Sequence, residues 1–575
     1  MNAFSDLVVA FGSDRVPTSR RLDNPWTAVA VGPGGVWSGA CADPGPSARS
    51  SAAVPGWSMW CIGEIFSYRS RTDEPLNRFL ADVSQSEADP ALLDAQALVV
   101  AWDETRRELH VWTDRMGTTH GYVGGAAGAR RCGTFLPAVA EGSPRNLDWE
   151  AITGFCGFGF YPADRTMYDD VHIVRPATWL VLDDQGDVAR EHRYWDWTFD
   201  PDHSRSDDDL LDEFGDVWSR VVAARIGDRR IVVPLSGGLD SRTVFAVATG
   251  ATDALATFSY GYARASSELA IARAVARTRG VRHRELVVQS YVFDRLEDVV
   301  DAVEGMQSLS FSRQAGVSGE MRELGDRVAG GHWGDVWFDA SAGQGPHQPV
   351  LEEAYTKFAK NGRAWLLEHV CAPRLGGQAP DTILRQFLSD ELARLPDLGD
   401  AAMQLKMLKT EQWSFRWTLA STRAYQLGAP TVLPFYANDI VDFFARVPTS
   451  RLVGRRLQAA YLRRHHPDLA KVRWQQTDVS LYARPTEQLG ALGRRALRKA
   501  GRVLGTSTVP ERNWEVQYLT GTGPSLLRLQ LGQAARAGLS SPESMDALAC
   551  AFLDDPGPGT GYAVDAALTL SPYLG

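Results

Sequence analysis

A short apolar stretch that runs directly into two glycines is the feature that most restricts the fold of this 575-residue chain. Residues 231–235 have the length and character of a buried strand, and a helical pattern begins just after the glycines, at 241–249. Two further strand patterns follow, separated by a second helical pattern. Strands that alternate with helices predict a parallel sheet covered by helices on both faces. The later strands are expected at 254–259 and 285–288, and the second helix at 267–278.

The chain before this unit has a different pattern. Residues 1–200 contain many short strand-like segments separated by Gly, Pro, Asp and Ser, for example at 28–31, 97–102 and 109–112, with a turn at 33–35. Helices are expected near 74–83 and 149–155. This indicates a mixed α+β domain. A polar linker at 200–209 then leads into a helix at 210–226, which Asp207 or Asp208 is expected to cap. Residues from about 295 onward are mostly helical by period.

Composition excludes several functional classes. The net charge of −10 argues against a broad nucleic-acid surface, which needs basic residues. No apolar stretch reaches the length of about 18 residues that a membrane span requires. The six cysteines show no zinc-ligand spacing and are expected to be reduced thiols in a cytoplasmic protein.

The glycine pair indicates a phosphate-binding loop. Glycines let the backbone approach an anion, and the N-terminus of the following helix supplies free N–H groups and a positive dipole end. Ser236 and Ser241 add hydroxyl groups. The G-x-x-x-x-G-K-[ST] spacing of the Walker A loop and the G-x-G-x-x-G dinucleotide fingerprint are both absent.

The stretch Pro-Leu-Ser-Gly-Gly-Leu-Asp-Ser-Arg at 234–242 resembles the pyrophosphate loop of the ATP-pyrophosphatase group, and most of all that of the asparagine synthetase family. Members of that family transfer AMP from ATP to a carboxylate, and an amine then displaces the AMP. The resemblance implies that ATP is the cofactor. It assigns ATP binding to Leu235, Ser236, Gly237, Gly238, Leu239, Asp240 and Ser241.

Two further segments extend the resemblance. Residues 330–335, Gly-Gly-His-Trp-Gly-Asp, follow a predicted strand at 326–329 and resemble the family's second glycine-rich loop. This implies that Gly331 and Gly334 contact ATP and that Asp240 and Asp335 bind one Mg²⁺, which prefers carboxylate and phosphate oxygens. In the family, the end of the second strand faces the adenine and ribose. That position corresponds to Phe258, Ser259 and Tyr260.

The N-terminal region resembles the glutaminase domain of the same family. The evidence is Gly63-Glu64-Ile65-Phe66-Ser67-Tyr68 and the segments at 101–103 and 113–117. The implied fold is a glutaminase-type αββα sandwich over residues 1–200, followed by a parallel-sheet synthetase domain with helical additions over 201–575. A working glutaminase has cysteine after the initiator methionine, whereas this chain has Asn2, and Ile62 replaces the usual oxyanion asparagine. The domain is therefore expected to be inactive.

One segment after these departs from the family pattern. The segment at 469–477 resembles one that normally supplies a catalytic lysine, but that position reads Gln476. Lys471 or Arg473 is the candidate for the cation that stabilises the departing pyrophosphate.

Three functions stay open at this level. The leading hypothesis is an AMP-forming amide ligase that closes a macrolactam in a biosynthetic peptide, as lasso-peptide cyclases and β-lactam synthetases close rings. The second is amidation of a sugar acid or small metabolite by ammonia or an external amine. The third is an inactive ATP-binding scaffold that partners another biosynthetic protein.

Overall fold

The computed structural model describes residues 4–12, 16–19, 21, 26–30, 34–40, 54–263, 267–340, 349–484, 486–487 and 512–574. These residues form antiparallel sheets in the N-terminal region, a parallel sheet in the middle of the chain and a helical C-terminal region. The predicted α/β fold class is therefore confirmed.

The N-terminal region is a sandwich of two antiparallel sheets. One sheet has the order β2-β3-β1-β8-β7-β9 and the other has the order β11-β10-β6-β5-β4. The strands are β1 (Ser5–Phe11), β2 (Thr27–Ala30), β3 (Gly34–Ala40), β4 (Trp57–Tyr68), β5 (Leu93–Asp103), β6 (Glu108–Thr113), β7 (Tyr122–Gly124), β8 (Arg131–Gly133), β9 (Val171–Ile173), β10 (Thr178–Leu182) and β11 (Val188–Arg193).

Alternating apolar residues of the two sheets form the core of this sandwich, because successive side chains of a strand point to opposite faces. Val9, Trp60 and Val100 belong to this buried layer. The other face of the β4-containing sheet packs against α1 (Pro75–Ser84) through Phe79 and Leu80. Helices α2 (Leu136–Ala140) and α3 (Trp149–Phe158) complete the N-terminal region. The predicted helices near 74–83 and 149–155 are thus present, whereas the predicted turn at 33–35 is wrong for Gly34 and Gly35, which begin β3.

The linker prediction also needs one correction. The polar stretch is followed by α4 (Asp207–Ile226), but neither Asp207 nor Asp208 caps it. Ser206 is the N-cap, and its hydroxyl accepts from the Asp209 N–H while the Asp209 carboxylate accepts from the Ser206 N–H. This reciprocal arrangement satisfies two N–H groups at once, which a single aspartate cap does not.

The central sheet contains only parallel strand pairs, in the order β14-β13-β12-β15-β16. Its strands are β12 (Ile231–Pro234), β13 (Leu255–Gly261), β14 (Arg282–Val287), β15 (Arg327–Ala329) and β16 (Thr431–Val432). The helices between them are α5 (Asp240–Ala251), α6 (Ser267–Thr278), α7 (Leu296–Val303), α8 (Ser318–Leu324), α9 (Gly334–Phe338), α10 (Val350–Phe358), α11 (Arg363–Leu366), α12 (Pro380–Arg394), α13 (Ala401–Lys409) and α14 (Leu419–Arg423).

Seven further helices follow among the described residues. They are α15 (Asn438–Phe444), α16 (Arg456–His465), α17 (Pro467–Ala470), α18 (Asn513–Tyr518), α19 (Gly523–Arg536), α20 (Pro542–Asp554) and α21 (Pro558–Leu570). Two π-helical segments, Leu367–Cys371 and Thr410–Thr418, continue α11 and α13. Such wide turns are rare and are often found at functional sites.

The N-terminal region and the parallel-sheet region share many polar contacts. The Gln96 amide oxygen accepts from the Leu433 N–H at 2.8 Å, and the His120 Nε2 lies 2.8 Å from the Phe415 carbonyl oxygen. Arg175 and Glu391 form an ion pair at 2.9 Å. The two regions are therefore firmly joined, and the predicted division near residue 200 remains a prediction about chain organisation.

In the part of the chain that the structure describes, no helix combines the length and the apolar character needed to cross a membrane. The five cysteines found there carry free thiols.

Candidate active site

The first glycine-rich loop connects β12 to α5 and is held in shape by its own serines. The Ser236 N–H donates to the Ser241 Oγ at 3.1 Å, and the two hydroxyl oxygens also lie 3.1 Å apart. The Gly238 N–H donates to the Ser236 Oγ at 3.1 Å. The loop is thus a tight turn held by its own side chains, and the first N–H groups of α5 have no acceptor within the helix.

Gly237 is glycine because another segment lies against it. A Cβ at this position would stand 2.7 Å from the Gln475 Cβ, and the Gln475 N–H donates to the Gly237 carbonyl at 3.0 Å. Gln475 is exposed and adjoins Gln476, the position discussed above for the catalytic lysine. The 469–477 segment therefore lies beside the first loop, as its resemblance implied.

The second glycine-rich loop packs directly on the start of α5. A Cβ on Gly331 would stand 2.8 Å from the Ser241 nitrogen, and one on Gly334 would stand 2.8 Å from the Asp240 Oδ1. Only glycine allows the backbone to come this close. The two loops, 95 residues apart in the sequence, form one surface at the C-terminal edge of the parallel sheet, which is where open α/β sheets usually bind ligands.

Asp240 and Asp335 face each other closely enough to interact. Burial raises the pKa of Asp240 to about 6; the Arg455 guanidinium opposes this rise, and the Asp335 carboxylate adds to it. The Asp335 side chain is exposed to the cleft. A carboxylate beside a second carboxylate is a common arrangement around a bound cation, because the cation's charge offsets their repulsion. The pair fits Mg²⁺, which uses one or two carboxylates when phosphates complete its coordination shell. One oxygen of Asp240, Oδ1, is already paired with the Arg455 guanidinium. Among the described residues no group of three or more His, Cys, Asp or Glu forms a metal cluster.

Two residues at the start of α16 complete the surroundings of Asp240, and the sequence analysis did not identify them. Arg455 forms an ion pair with the Asp240 Oδ1, and the Gln458 amide donates to the same oxygen at 3.0 Å. Arg455 has a positive φ of 60° and follows Gly454 with φ 68°. A positive φ costs energy in a residue with a side chain, so the packing around it must hold the guanidinium in place.

Arg242, the last residue of the loop motif, positions the 469–473 segment. Its buried guanidinium donates to the carbonyl oxygens of Leu469, Val472 and Arg473, at 3.1, 2.9 and 2.9 Å. The two predicted cations of this segment have different surroundings. Lys471 is exposed at the end of α17, and Arg473 pairs with Asp478 at 3.0 Å. Whether either acts on pyrophosphate stays a prediction.

The end of β13 contributes one accessible side chain out of three. Phe258 is fully buried, and Ser259 is nearly so, with its Oγ 3.1 Å from the His283 Nε2. Tyr260 is half-buried, and its hydroxyl receives a hydrogen bond from the Gln314 amide at 3.3 Å and lies 3.4 Å from the Tyr425 hydroxyl. Contact of Phe258 with a nucleotide through its side chain is therefore excluded; its backbone remains the candidate.

Trp333 fixes the second loop from the opposite side. It precedes α9 with a positive φ of 74°, and its buried indole N–H donates to the Thr410 hydroxyl at 3.1 Å. Its neighbour His332 packs edge-on against Tyr425, and burial lowers the pKa of its imidazole to about 4. His332 is therefore neutral at physiological pH.

A cavity of about 100 Å³ lies where the N-terminal sandwich meets β15 and β16. Ile62 and Gly63 line it. Glu64 also lines this cavity, and Arg229 of the parallel-sheet region binds its carboxylate. Cys61 is 5% exposed on β4, with the character of a core thiol. Among the described residues no cysteine lines this cavity, and Asn2 lies outside the described residues.

Comparison with known proteins identifies one family over less than half of the chain. Residues 213–469 match the family described as asparagine synthase. This range includes both glycine-rich loops, Arg455 and Gln458, and ends before Lys471 and Arg473. A search of curated proteins finds no match. Among solved structures, the chain aligns with a glutamine phosphoribosylpyrophosphate amidotransferase from B. subtilis complexed with ADP and GMP. The identity is 9% and the TM-score 0.19, over 49% of this chain and 59% of that one.

Proposed function

Because residues 213–469 match the asparagine synthase family, we propose that the chain is an ATP-dependent ligase that adenylates a carboxylate and passes the acyl group to an amine. One observation carries this proposal: Asp240 and Asp335 meet across two glycine-rich loops at the C-terminal edge of the parallel sheet.

In this proposal the first loop binds the phosphates of ATP. The N–H groups at the start of α5 and the positive end of its dipole favour negative charge there. Tyr260 at the end of β13 contacts the base or ribose. Asp240 and Asp335 would hold Mg²⁺, which supplies charge neutralisation for the triphosphate. Arg455 adds a second positive charge beside the same phosphates and orients the Asp240 carboxylate.

The chemistry then has two steps. A carboxylate oxygen of the substrate attacks the α-phosphorus, the bond to the β-phosphate oxygen breaks, and pyrophosphate leaves with its negative charge. The resulting acyl-adenylate is attacked at its carbonyl carbon by an amine, AMP leaves, and the amine loses a proton. The rigid loops keep the reacting groups in place, which replaces an encounter in solution by a local one.

The source of the amine separates the finer alternatives. Ile62 stands at the position of the usual oxyanion asparagine, and this favours an N-terminal region that does not release ammonia from glutamine. We therefore favour an amine that arrives with the substrate, as in macrolactam closure of a peptide, over free ammonia. ATP and Mg²⁺ as co-substrate and metal are consistent with a cytoplasmic site of action.

Exchange of labelled pyrophosphate into ATP tests the proposal. The purified chain is incubated with Mg²⁺, ATP, labelled pyrophosphate and a panel of carboxylic acids and acidic peptides. Exchange that requires both the acid and Mg²⁺ supports adenylation. Tight ATP binding without exchange or AMP for any acid in the panel favours an inactive scaffold instead.

A further inference from the structure

Lysine is rare in this chain and concentrated in one place. Only six of its 60 basic Lys and Arg residues are lysines, and four of the six, at positions 357, 360, 406 and 409, lie in or next to α10 and α13. Arginine serves as the cation almost everywhere else. A lysine carries a compact ammonium whose charge responds to burial, which an arginine cannot replace.

One stripe of the helix formed by α13, the π-helical segment and α14 is accessible. Between Lys406 and Ala420 every side chain is buried except Lys409, Trp413 and Trp417. The buried side of the π-helical segment is bound by the N-terminal region, for example through Arg193 and Glu411 at 2.7 Å. These three residues recur at every fourth position, so they form one continuous face. We refer to Lys409, Trp413 and Trp417 as the indole stripe.

Lys360 completes this surface from the neighbouring segment after α10. Its ammonium nitrogen lies 4.7 Å from the ring centre of Trp413 and 5.4 Å from that of Trp417, and the Lys409 ammonium lies 5.9 Å from Trp413. Among the described residues neither ammonium has a hydrogen-bond acceptor or an ion-pair partner. Burial lowers the pKa of Lys360 to about 8 and that of Lys409 in the same direction. Two ammonium groups therefore flank one aromatic face.

The indole stripe adjoins the proposed adenylation site. The Trp333 indole of the second loop donates to the hydroxyl of Thr410, the residue after Lys409, at 3.1 Å. Among neighbouring charges, Asp335 has the largest effect on the pKa of Lys409 and raises it. At the other end Phe311 packs edge-on against Trp417 at 5.5 Å. Arg313 then lies over the Tyr260 ring at 5.5 Å. The surface thus runs from the proposed metal ligands to the end of β13.

We infer that the indole stripe and Lys360 form the acyl-substrate subsite, which receives an acid with a planar aromatic group and a second anionic group. The inference rests on the proposed function, in which the bound acid is adenylated. The aromatic group stacks on Trp413, the reacting carboxylate lies at the Lys409 end next to Asp335, and the second anion binds Lys360. Offset stacking of an aromatic ring on an indole is favourable beyond the area that it buries. In a peptide substrate these groups correspond to an aromatic residue near an acidic side chain or the C-terminal carboxylate.

Three probes of nearly equal size test this assignment. Terephthalate has both the ring and two carboxylates, p-toluate lacks one carboxylate, and trans-1,4-cyclohexanedicarboxylate lacks the aromatic ring. Binding to the full chain is measured by titration calorimetry and ligand-detected NMR. We expect terephthalate to bind at least about 10-fold more tightly than either of the others, because only it uses the indole and both ammonium groups.

Two variants test whether Trp413 and Lys360 cause the preference for terephthalate. Trp413→Leu should reduce the preference for terephthalate over the saturated diacid to less than about 2-fold. Lys360→Gln should do the same for the preference over p-toluate. Trp179→Leu, at a partly exposed tryptophan of the N-terminal sheet, and Lys357→Gln, at an exposed lysine paired with Glu353, are the matched controls and should keep both preferences.

The assignment is overturned if terephthalate does not bind, if it binds no better than the other two acids, or if both preferences survive in Trp413→Leu and Lys360→Gln. Mg·ATP affinity, measured on the same samples, tests the proposed function separately. If the unmodified chain does not bind Mg·ATP, the proposed function is contradicted. The relative affinities of the three acids still test the subsite independently.

Discussion

Arg455 forms an ion pair with Asp240 across 215 residues of sequence, at the point where the first loop enters α5. The pair places a guanidinium beside the carboxylate proposed to bind Mg²⁺. It also opposes the rise in the pKa of Asp240 that burial and Asp335 produce. Arg455 therefore keeps Asp240 ionised, as a metal ligand must be.

Arg455→Gln removes this charge while Gln458 still donates to Asp240. We expect the rate of acid-dependent pyrophosphate exchange to fall by about 10-fold or more, since one buried charge-assisted hydrogen bond contributes roughly 1.5–3 kcal/mol. Arg456→Gln is the matched control, because Arg456 is the next residue and is exposed. Equal exchange rates in the two variants would show that Arg455 does not act on the site.

Removal of the Asp335 carboxylate is expected to abolish activity without changing the stability of the fold. Because this side chain is exposed, Asp335→Ala should leave the melting temperature within about 2 °C while pyrophosphate exchange is lost. Asp240→Ala should also abolish exchange. Asp326→Ala, at an exposed aspartate that precedes β15 at the opposite edge of the sheet, should retain full exchange. Normal activity of Asp335→Ala would remove this residue from the proposed metal site.

The hydrogen bond between Trp333 and Thr410 links the second loop to the π-helical segment. We expect Trp333→Phe and Thr410→Val each to weaken Mg·ATP binding about 3- to 10-fold, because the loop that carries Asp335 loses an anchor. The double variant should be little worse than either single one, with a coupling energy of about 1 kcal/mol. Additive effects, measured by calorimetric titration of Mg·ATP, would mean that the bond does not position the loop.

Lys406 makes stability depend on pH. Its ammonium is buried and donates to the Trp337 carbonyl at 2.6 Å, and burial lowers its pKa from 10.5 to about 7. Between pH 7 and 10.5 the unfolded chain holds this proton and the folded chain does not, so raising the pH favours the folded state. Below pH 7 both states are protonated and the cost of burial is complete.

Lys406→Met lacks this titration. The free energy of unfolding of the unmodified chain, minus that of Lys406→Met, should therefore increase from pH 7 to pH 9, with a slope approaching about 1.4 kcal/mol per pH unit. Denaturant unfolding at pH 7, 8 and 9 measures it. Since other groups titrate equally in both proteins, a difference that is constant across this range would contradict a depressed pKa for Lys406.

Local sequence patterns located four of the five strands of the central sheet to within a few residues, and they missed the two-residue β16. The strand predicted at 231–235 is β12, Ile231–Pro234, and the helix predicted at 267–278 is α6, Ser267–Thr278. Patterning failed where a neighbour decides the outcome. Gly34 and Gly35 have the sequence of a turn but pair with β1. Ser206 caps α4 because Asp209, three residues later, forms the reciprocal hydrogen bond.

Candidate site residues divide in the same way. Glycines followed by a helix mark the loops because the backbone itself makes the contacts, so the local sequence is sufficient. Arg455, Gln458 and the indole stripe carry no such mark. Their roles depend on which distant segment faces them, and a single arginine or tryptophan in a helix reads as an ordinary surface or core residue.

The sequence by itself determined the two glycine-rich loops and the strands that precede them, since each is a property of a few adjacent residues. Only the tertiary structure decided that Asp240 meets Asp335, that Arg455 neutralises Asp240, and that Lys360 lies over two indoles. Each of these contacts joins segments far apart in the chain. Electrostatic interaction and burial depend on distance in space, which packing of the whole molecule sets.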